Sequence, residues 1–247
     1  MTLRLVVLDY PPPGPIRTAP LPPGEVHVWH WEPVCLPDQL DTLWKTLSED
    51  ERQRAERYRL AEHRNQFVIN RAHMRRLLAA YRAMAPEELV FRYSAYGKPL
   101  LHHRETLRFN LSHTKGRTAL AVVEQREIGI DVEQIRSQAD AARIAERFFS
   151  AQERRALRQV PADHLDRAFF RCWTRKEAYM KARGEGLSIP LQDFDVSLED
   201  HAARLLSTRP DPEEANRWML YDVRLAPGYA AALAVATDPV ESTARHA

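Results

Sequence analysis

Two carboxylates separated by a single residue are the most informative chemical feature of the sequence. They lie in Ile128-Gly-Ile-Asp-Val-Glu133, where the alternation of a β-strand would put Asp131 and Glu133 on one face together with Gly129. At a rise of roughly 3.3 Å per residue, the two side chains start about 7 Å apart, within reach of one divalent cation. Oxygen ligands without a neighbouring His or Cys suit Mg²⁺ better than zinc.

Gly129 is expected to leave space beside these two carboxylates for a ligand. The competing interpretation is a half-exposed edge strand whose polar residues face outward, which is a common arrangement. Like charges on one face of a strand repel each other, which favours the metal site without deciding the question.

A second acidic and basic pattern lies in Phe169-Phe-Arg-Cys-Trp-Thr-Arg-Lys-Glu-Ala-Tyr-Met-Lys181. At helical spacing, Trp173, Glu177 and Lys181 line one stripe. An ordinary surface pair of this kind contributes only about 0.2–0.5 kcal/mol, but the aromatic side chain on the same stripe indicates partial burial. Glu177 could then be a third metal ligand and Lys181 a phosphate clamp.

Ser112 and His113 are adjacent in Phe109-Asn-Leu-Ser-His-Thr114. We reject a Ser–His nucleophile, because neighbouring strand residues point to opposite faces and His113 is badly placed to deprotonate Ser112. At a looped strand end both could contact one anion, through a hydroxyl and an imidazole N–H. A simple polar turn is the alternative.

Basic side chains offer further phosphate contacts. Arginines recur along one predicted helix at Arg57, Arg64, Arg71 and Arg75. A solvated helix face is the usual explanation of such a stripe, although one arginine could bind a terminal phosphate with two hydrogen bonds. Lys98, in the tight turn Gly97-Lys-Pro, could do the same.

The elements that must position these residues alternate between helix and strand. Capping boxes at Ser48–Glu51 and Ser150–Glu153 predict two helix starts. Predicted helices cover 48–84, with a break near 60–63, then 139–149, a segment from Ser150 and 166–183; predicted strands cover 25–31, 108–111, 118–124, 128–133, 194–198, 218–225 and 229–237. Val26 and Val28 should share one face of the first strand, opposite Trp29 and Trp31.

An internal echo links the two halves of the chain. Gly116-Arg-Thr-Ala-Leu-Ala-Val-Val is similar to Gly228-Tyr-Ala-Ala-Ala-Leu-Ala-Val, and both follow a helix rich in Arg and Lys. Apolar strands also recur by chance, so duplication and coincidence both stay open. Duplication would give two α+β lobes with a cleft between them, which is a common ligand site.

The bulk composition excludes several classes of protein. The 247 residues carry 36 Lys and Arg against 34 Asp and Glu, a formal charge of +2, which does not call for nucleic acid. No apolar run approaches the roughly 20 residues of a membrane span, and Leu3–Leu8 is too short for a signal peptide. Two cysteines do not form a disulfide framework. We therefore expect a cytoplasmic protein.

Taken together, the motifs resemble the Sfp-type 4′-phosphopantetheinyl transferases over roughly residues 48–200. Five motifs occur in the family's order: Gly97-Lys-Pro, Phe109-Asn-Leu-Ser-His, Gly129-Ile-Asp-Val-Glu, Phe148-Phe-Ser-x-x-Glu153 and Trp173-x-x-Lys-Glu-Ala-x-x-Lys181. The resemblance implies an α+β fold of two pseudo-symmetric lobes in one chain, with coenzyme A in the cleft. We divide the chain into a Pro-rich extension (1–24), an N-terminal lobe (25–125), a C-terminal lobe (126–237) and a polar tail (238–247).

The resemblance also implies roles for single residues. Asp131, Glu133 and Glu177 match the family's Mg²⁺ ligands, and Lys181 matches a lysine that contacts the phosphates and assists the leaving group. The coenzyme A contacts implied in the same way are Ser112, His113 (near the 3′-phosphate), Lys98, and Arg64 on the ribose phosphate. Family members often have lysines where Glu51 stands, so no contact is assigned there.

The implied reaction is attack of a carrier-protein serine on the β-phosphate of coenzyme A, with release of adenosine 3′,5′-bisphosphate. The base is expected to be Glu177, directly or through a metal-bound water, with Glu153 as the second choice. Partners would be coenzyme A and an acyl, peptidyl or aryl carrier protein, and the chain is expected to be a monomer without nucleic acid or membrane.

Two other functions compete with this one. Asp131 and Glu133 could hold the metal of a phosphohydrolase that acts on a nucleotide without any carrier protein. The arginine-rich helix could instead bind nucleic acid, although the balanced charge and the lack of a recognised binding motif count against that function.

Overall fold

The structure is a computed structural model that describes residues 3–10, 16, 21–102, 106–137 and 140–239. Most of the Pro-rich stretch and nearly all of the expected polar tail lie outside these ranges. The α-helices are α1 (Pro37–Lys45), α2 (Glu49–Glu56), α3 (Ala61–Arg82), α4 (Ala141–Phe148), α5 (Ala151–Leu157) and α6 (Leu165–Arg183).

The strands form two main sheets and two short hairpins. They are β1 (Arg4–Asp9), β2 (Glu25–Trp31), β3 (Phe91–Tyr93), β4 (Pro99–Leu101), β5 (Leu107–Thr114), β6 (Arg117–Glu124), β7 (Ile128–Gln134), β8 (Phe194–Val196), β9 (Leu205–Thr208), β10 (Trp218–Asp222) and β11 (Tyr229–Ala236). The larger sheet has the order β1-β2-β6-β5 and the second has the order β10-β11-β7, with β3-β4 and β8-β9 as the hairpins.

The two sheets share one apolar core. Ile128, Ile130 and Leu233 of the second sheet cluster with Val28 and Ala121 of the first. The outer face of each sheet is covered by a long helix: α3 packs on Trp29 and Trp31 through residues such as Leu77, and α6 packs on β11. The predicted α+β fold of two lobes is confirmed, as is the division of β2 into a valine face and a tryptophan face.

Equivalent glycines precede the central strands of the two sheets. Gly116 (φ +75°) leads into β6 and Gly228 (φ +82°) leads into β11. Each of these strands lies between two others of its own sheet, so the internal echo corresponds to matching positions in the two lobes.

The predicted helix starts are confirmed. Glu51 Oε2 accepts a hydrogen bond from the Ser48 N–H at 3.0 Å. At the start of α5, Ser150 N–H donates to Glu153 Oε2 at 2.9 Å, and Ser150 Oγ accepts from Glu153 N–H at 3.2 Å. Reciprocal bonds of this kind satisfy the free amides at a helix start.

The leading segment differs from the expected extension. Its strand β1 pairs in parallel with β2, with Arg4 opposite Glu25, and Leu3 and Leu5 join the core between the sheets. The N-terminal lobe therefore includes residues placed in the 1–24 extension. Six residues without clear alternation of polar and apolar side chains gave no strand signal, and only pairing with β2 defines this one.

Candidate active site

Side chains of β5 accept hydrogen bonds from the backbone amides on the outer edge of β7, where the two lobes meet. Asn110 Oδ1 accepts the Ile130 N–H at 2.9 Å, and Ser112 Oγ accepts the Val132 N–H at 3.3 Å. Since β7 is an edge strand of its sheet, these amides would otherwise lack partners. The side chains of β5 therefore fix the register of the acidic strand against the first lobe.

Gly129 determines how closely α6 approaches the acidic strand. A Cβ atom built on Gly129 would lie 2.2 Å from Ala178 O and 2.2 Å from Ala182 N. The backbone of α6 thus occupies the space that the sequence analysis reserved for a ligand, and that expectation is wrong. The close contact brings the helix face with Glu177 and Lys181 onto the carboxylates of β7.

Asp131 is the central residue of this meeting point and is 4 % exposed. Its Oδ1 accepts hydrogen bonds from Ser112 Oγ at 2.9 Å and from Lys181 Nζ at 2.6 Å, and Lys181 Nζ also lies 2.9 Å from Ser112 Oγ. Its Oδ2 is buried and has no hydrogen-bond partner among the residues that the structure describes. A buried carboxylate oxygen without a partner is unfavourable unless a cation binds it.

The other two carboxylates carry pKa values that reflect burial and mutual repulsion. Burial, and then the charge of Asp131, raises the pKa of Glu133, while a hydrogen bond from Thr114 Oγ1 at 3.1 Å opposes the shift. Burial, and then Asp131, raises the pKa of Glu177 to about 7, which Lys181 opposes and Glu133 reinforces. The structure therefore brings all three predicted acids into one electrostatic cluster.

His113 faces the same cluster from the N-terminal lobe. Burial, and then the charge of Lys181, lowers the pKa of the imidazole, while Asp131 opposes this shift. The side chain is neutral near pH 7 and can offer an N–H to an anion. Ser112 Oγ lies 2.9 Å from Lys181 Nζ, and His113 is near enough for the charge of Lys181 to act on its pKa.

Two family models match the chain, one over each lobe. The family model described as the 4′-phosphopantetheinyl transferase superfamily matches residues 127–234, and the model of the N-terminal part of a 4′-phosphopantetheinyl transferase matches residues 29–125. The 4′-phosphopantetheinyl transferase HetI of Nostoc is 38% identical over 216 residues, which cover 86% of this chain and 88% of HetI. The chain belongs to the 4′-phosphopantetheinyl transferase superfamily.

Two further relatives carry the same activity in their names. The transferase of Bacillus pumilus is 33% identical over 71% of this chain and 73% of its own length. The Sfp transferase of Bacillus subtilis is 28% identical over 77% of this chain and 82% of its own length. The chain is an enzyme that transfers 4′-phosphopantetheine from coenzyme A to a carrier protein.

Glu153, the alternative base, is not brought to the acidic cluster of this transferase. It is 1 % exposed, and its oxygens lie 2.6 and 2.7 Å from Lys176 Nζ, with the Val196 N–H a further donor to Oε1 at 2.8 Å. Together with the capping box at Ser150, these bonds occupy both carboxylate oxygens. The structure indicates that Glu153 holds α5, α6 and β8 together.

Lys98 and Arg64, the two basic residues expected to contact coenzyme A, differ in exposure. The ammonium of Lys98 donates to Glu127 Oε2, Ile128 O and Ala182 O, at 2.9, 3.0 and 2.9 Å. Arg64 is exposed in the first turn of α3, where a ligand could reach it.

The arginine stripe of α3 is not a uniformly solvated face. Glu51 Oε1 accepts from Arg71 Nε at 2.5 Å and Glu51 Oε2 accepts from Arg75 Nε at 2.6 Å. Arg75 is 1 % exposed and also donates to Pro86 O and Leu89 O. Two of the stripe's arginines therefore stabilise the N-terminal lobe around Glu51.

A second acidic cluster lies elsewhere on the C-terminal lobe. Within the described ranges, Asp200, His201 and Asp222 form the only group of three metal-type side chains whose ligand atoms all lie within 4.8 Å of one another. The oxygens of Asp131, Glu133 and Glu177 are thus spread more widely. However, Asp200 already pairs with Arg171 at 2.8 Å and Asp222 with Arg175 at 2.7 Å, so arginines neutralise this second cluster.

Three residues with positioning roles were not predicted from the sequence, two of them at the site and one beside Glu153. Asn110, Thr114 and Lys176 were unassigned, although Asn110 and Thr114 alternate with Ser112 along β5 and could have been read as one polar face. Lys176 lies one position before Glu177 in a helix and so cannot share its face.

Among the described helices, none is long and apolar enough to cross a membrane.

Proposed function

We propose that Asp131, Glu133 and Glu177 hold a Mg²⁺ ion together with the pyrophosphate of coenzyme A. The observation that carries the proposal is Asp131 Oδ2, which is buried beside two further acids and finds no hydrogen-bond partner in the described part of the chain. Carboxylate oxygens are the ligands that Mg²⁺ prefers. The raised pKa values of Glu133 and Glu177 also support a site whose charges repel each other until a cation joins them.

The bound ion would offset the negative charge that develops on the pyrophosphate during transfer. The chain's own cations contribute to the same task. Lys181 Nζ, which lies between Ser112 Oγ and Asp131 Oδ1, can turn to the phosphates and stabilise the leaving group. The Ser112 hydroxyl, which can turn from Asp131 to the anion, and the neutral imidazole of His113 add uncharged donors, so this step depends on positioned electrostatics.

Glu177 is the base in this proposal. Burial, and then the charge of Asp131, raises the pKa of Glu177 to about 7, and the carboxylate oxygen that does not hold the ion would accept a proton near neutral pH. The Oγ atom of the carrier serine forms a bond to the β-phosphorus of coenzyme A, and the serine proton passes to Glu177. The bond from that phosphorus to the bridging oxygen breaks, and adenosine 3′,5′-bisphosphate leaves with the electron pair. The phosphopantetheine arm remains on the serine.

The other substrate is an acyl, peptidyl or aryl carrier protein, which is commonly acidic around its serine. Exposed arginines of the transferase, such as Arg54 and Arg57, suit a partner of that charge. The thiols of Cys35 and Cys172 are free, which supports a cytoplasmic location.

The test is a carrier-loading assay, in which transfer is measured as the mass increase of the carrier protein. Asp131→Ala should abolish loading while circular dichroism shows a folded chain. The matched control is Asp200→Ala, which alters the arginine-neutralised cluster and should load normally. Chelation of divalent cations should stop the wild-type reaction, and added Mg²⁺ should restore it. Undiminished loading by Asp131→Ala would remove the metal assignment.

A further inference from the structure

We propose that Lys98 is a positioning residue that locks the end of α6 and the start of β7 to the N-terminal lobe, and so determines where Lys181 meets Asp131. This role differs from the direct contact with coenzyme A that the family resemblance implied for Lys98. It rests on the proposed site, because it acts through two of that site's residues.

The contacts of Lys98 reach both elements that carry the site. Lys98 belongs to the turn between β3 and β4, in the N-terminal lobe. Its ammonium donates to Ile128 O, at the first residue of β7, and to Ala182 O, in the last turn of α6. The third donor is used by Glu127 Oε2 at 2.9 Å. An ammonium has three N–H donors, so all of them are engaged within the protein.

The surroundings of Lys98 leave little access for a phosphate. Its side chain is 8% exposed, and a Cβ atom built on Gly184 would lie 3.0 Å from Lys98 Cδ. Gly184 has φ +70° and ends α6 in the left-handed conformation. This glycine therefore both terminates the helix and makes room for the lysine stem.

Burial lowers the pKa of Lys98, and the negative groups around its ammonium oppose this shift. The last carbonyls of a helix lack partners within the helix and carry partial negative charge, and Ala182 O is one of them. Glu127 adds a full negative charge, and it is shared with Arg108, whose Nε lies 3.3 Å from Glu127 Oε1. The cation thus joins a helix end, a strand start and a carboxylate from one position.

The two backbone groups that Lys98 holds are close in sequence to the residues of the site. Lys181 immediately precedes Ala182, and Asp131 follows Ile128 by three residues on the same strand. The Lys181 Nζ to Asp131 Oδ1 distance is 2.6 Å. Release of either anchor would let this pair shift, and a misplacement of about 1 Å can lower the rate of an enzyme about 100-fold.

Steady-state kinetics distinguish a positioning role from a direct contact. Removal of a residue that only binds coenzyme A raises KM and leaves kcat unchanged. Removal of a residue that orients the reacting groups lowers kcat. For Lys98→Met, which keeps the length of the side chain, we expect kcat to fall about 10- to 100-fold. The KM for coenzyme A should change little.

Hydrogen exchange provides a readout that needs neither metal nor carrier protein. In Lys98→Met, the amides of residues 180–184 should exchange faster than in the wild type, because the last turn of α6 loses its anchor. The control is Lys45→Met, an exposed lysine at the end of α1, which should leave kcat, KM and exchange at their wild-type values. A second variant, Glu127→Gln, should shift kcat and exchange in the same direction by a smaller amount, and it serves if Lys98→Met does not fold.

The outcomes separate this inference from the proposed metal site. A higher KM with unchanged kcat, or unchanged exchange at 180–184, would overturn the positioning role and favour direct contact with coenzyme A. If Asp131→Ala still loads the carrier while Lys98→Met shows fast exchange and a low kcat, the metal assignment is wrong and the positioning role of Lys98 is supported.

Discussion

Ser112 Oγ donates a hydrogen bond to Asp131 Oδ1 at 2.9 Å, although the two residues belong to different sheets. Ser112 Oγ also accepts a hydrogen bond from the Val132 N–H, so one hydroxyl fixes both the edge of β7 and its acidic side chain. This relationship places the central carboxylate at the junction of the two lobes, and several predictions about the site depend on it.

Ser112→Ala tests the junction directly. The variant removes a donor to Asp131 and an acceptor for Val132, so we expect the free energy of unfolding to fall by about 1–2 kcal/mol and carrier loading to slow. Urea unfolding and the mass-shift assay measure the two effects. Ser188→Ala, at an exposed position, is the control and should change stability by less than about 0.5 kcal/mol. Equal stability of the two variants would contradict the role given to Ser112.

Gly129→Ala tests the close packing of α6 on the acidic strand. The added methyl would collide with backbone atoms of Ala178 and Ala182, and backbone cannot move aside as a side chain can. We expect a loss of about 3 kcal/mol or more, together with loss of loading, measured by thermal unfolding and mass shift. Gly228→Ala is the matched control: its Cβ would meet no atom within 4 Å, and the left-handed backbone should cost only about 1–2 kcal/mol.

Glu153→Gln separates a structural role from a catalytic one. The change leaves the fully buried ammonium of Lys176 without its charged partner, which should cost about 3–5 kcal/mol of stability. The loading rate per folded molecule should stay near the wild-type value. The double variant Glu153→Gln, Lys176→Met should recover part of the lost stability in urea unfolding. A folded Glu153→Gln protein that cannot load the carrier would restore Glu153 as a candidate base.

The lowered pKa of His73 leads us to expect that the folded protein loses stability in acid. Burial, and then the charge of Arg76, lowers its pKa from 6.5 to about 4 in the folded protein. The unfolded chain therefore binds a proton that the folded one rejects between these two values. Stability should be complete above about pH 6.5 and should decline as the pH falls toward 4, by about 3 kcal/mol.

The His73→Phe variant keeps an aromatic ring against Tyr10 but removes the titrating group. In the wild type the ring centroids of Tyr10 and His73 are stacked 4.0 Å apart. The difference in unfolding free energy between this variant and the wild type should therefore change across the same pH range. His63→Phe, at an exposed position of α3, should retain the pH dependence of the wild type. A His73→Phe profile parallel to that of the wild type would show that His73 does not titrate as inferred.

Local signals in the sequence were sufficient for many elements. The capping boxes gave the starts of α2 and α5, and the glycine after Arg183 gave the end of α6. The alternation in β2 and β7 gave their faces. Such signals act between neighbouring residues, so the chain around each motif contains the information. By contrast, β1, β3, β4 and β9 are strands of three to six residues, too short for a clear alternation of side chains, and only pairing with another strand defines them.

The sequence by itself determined that three acids on a strand and a helix could meet around one divalent cation, with a lysine placed for a phosphate, because alternation and helical spacing fix which side chains share a face. Only the tertiary structure decided how those faces meet. Gly129 admits the backbone of α6, Ser112 reaches across to Asp131, and Glu153 and Lys98 engage partners within the protein. These outcomes depend on packing and burial between segments far apart in the chain, which no local pattern encodes.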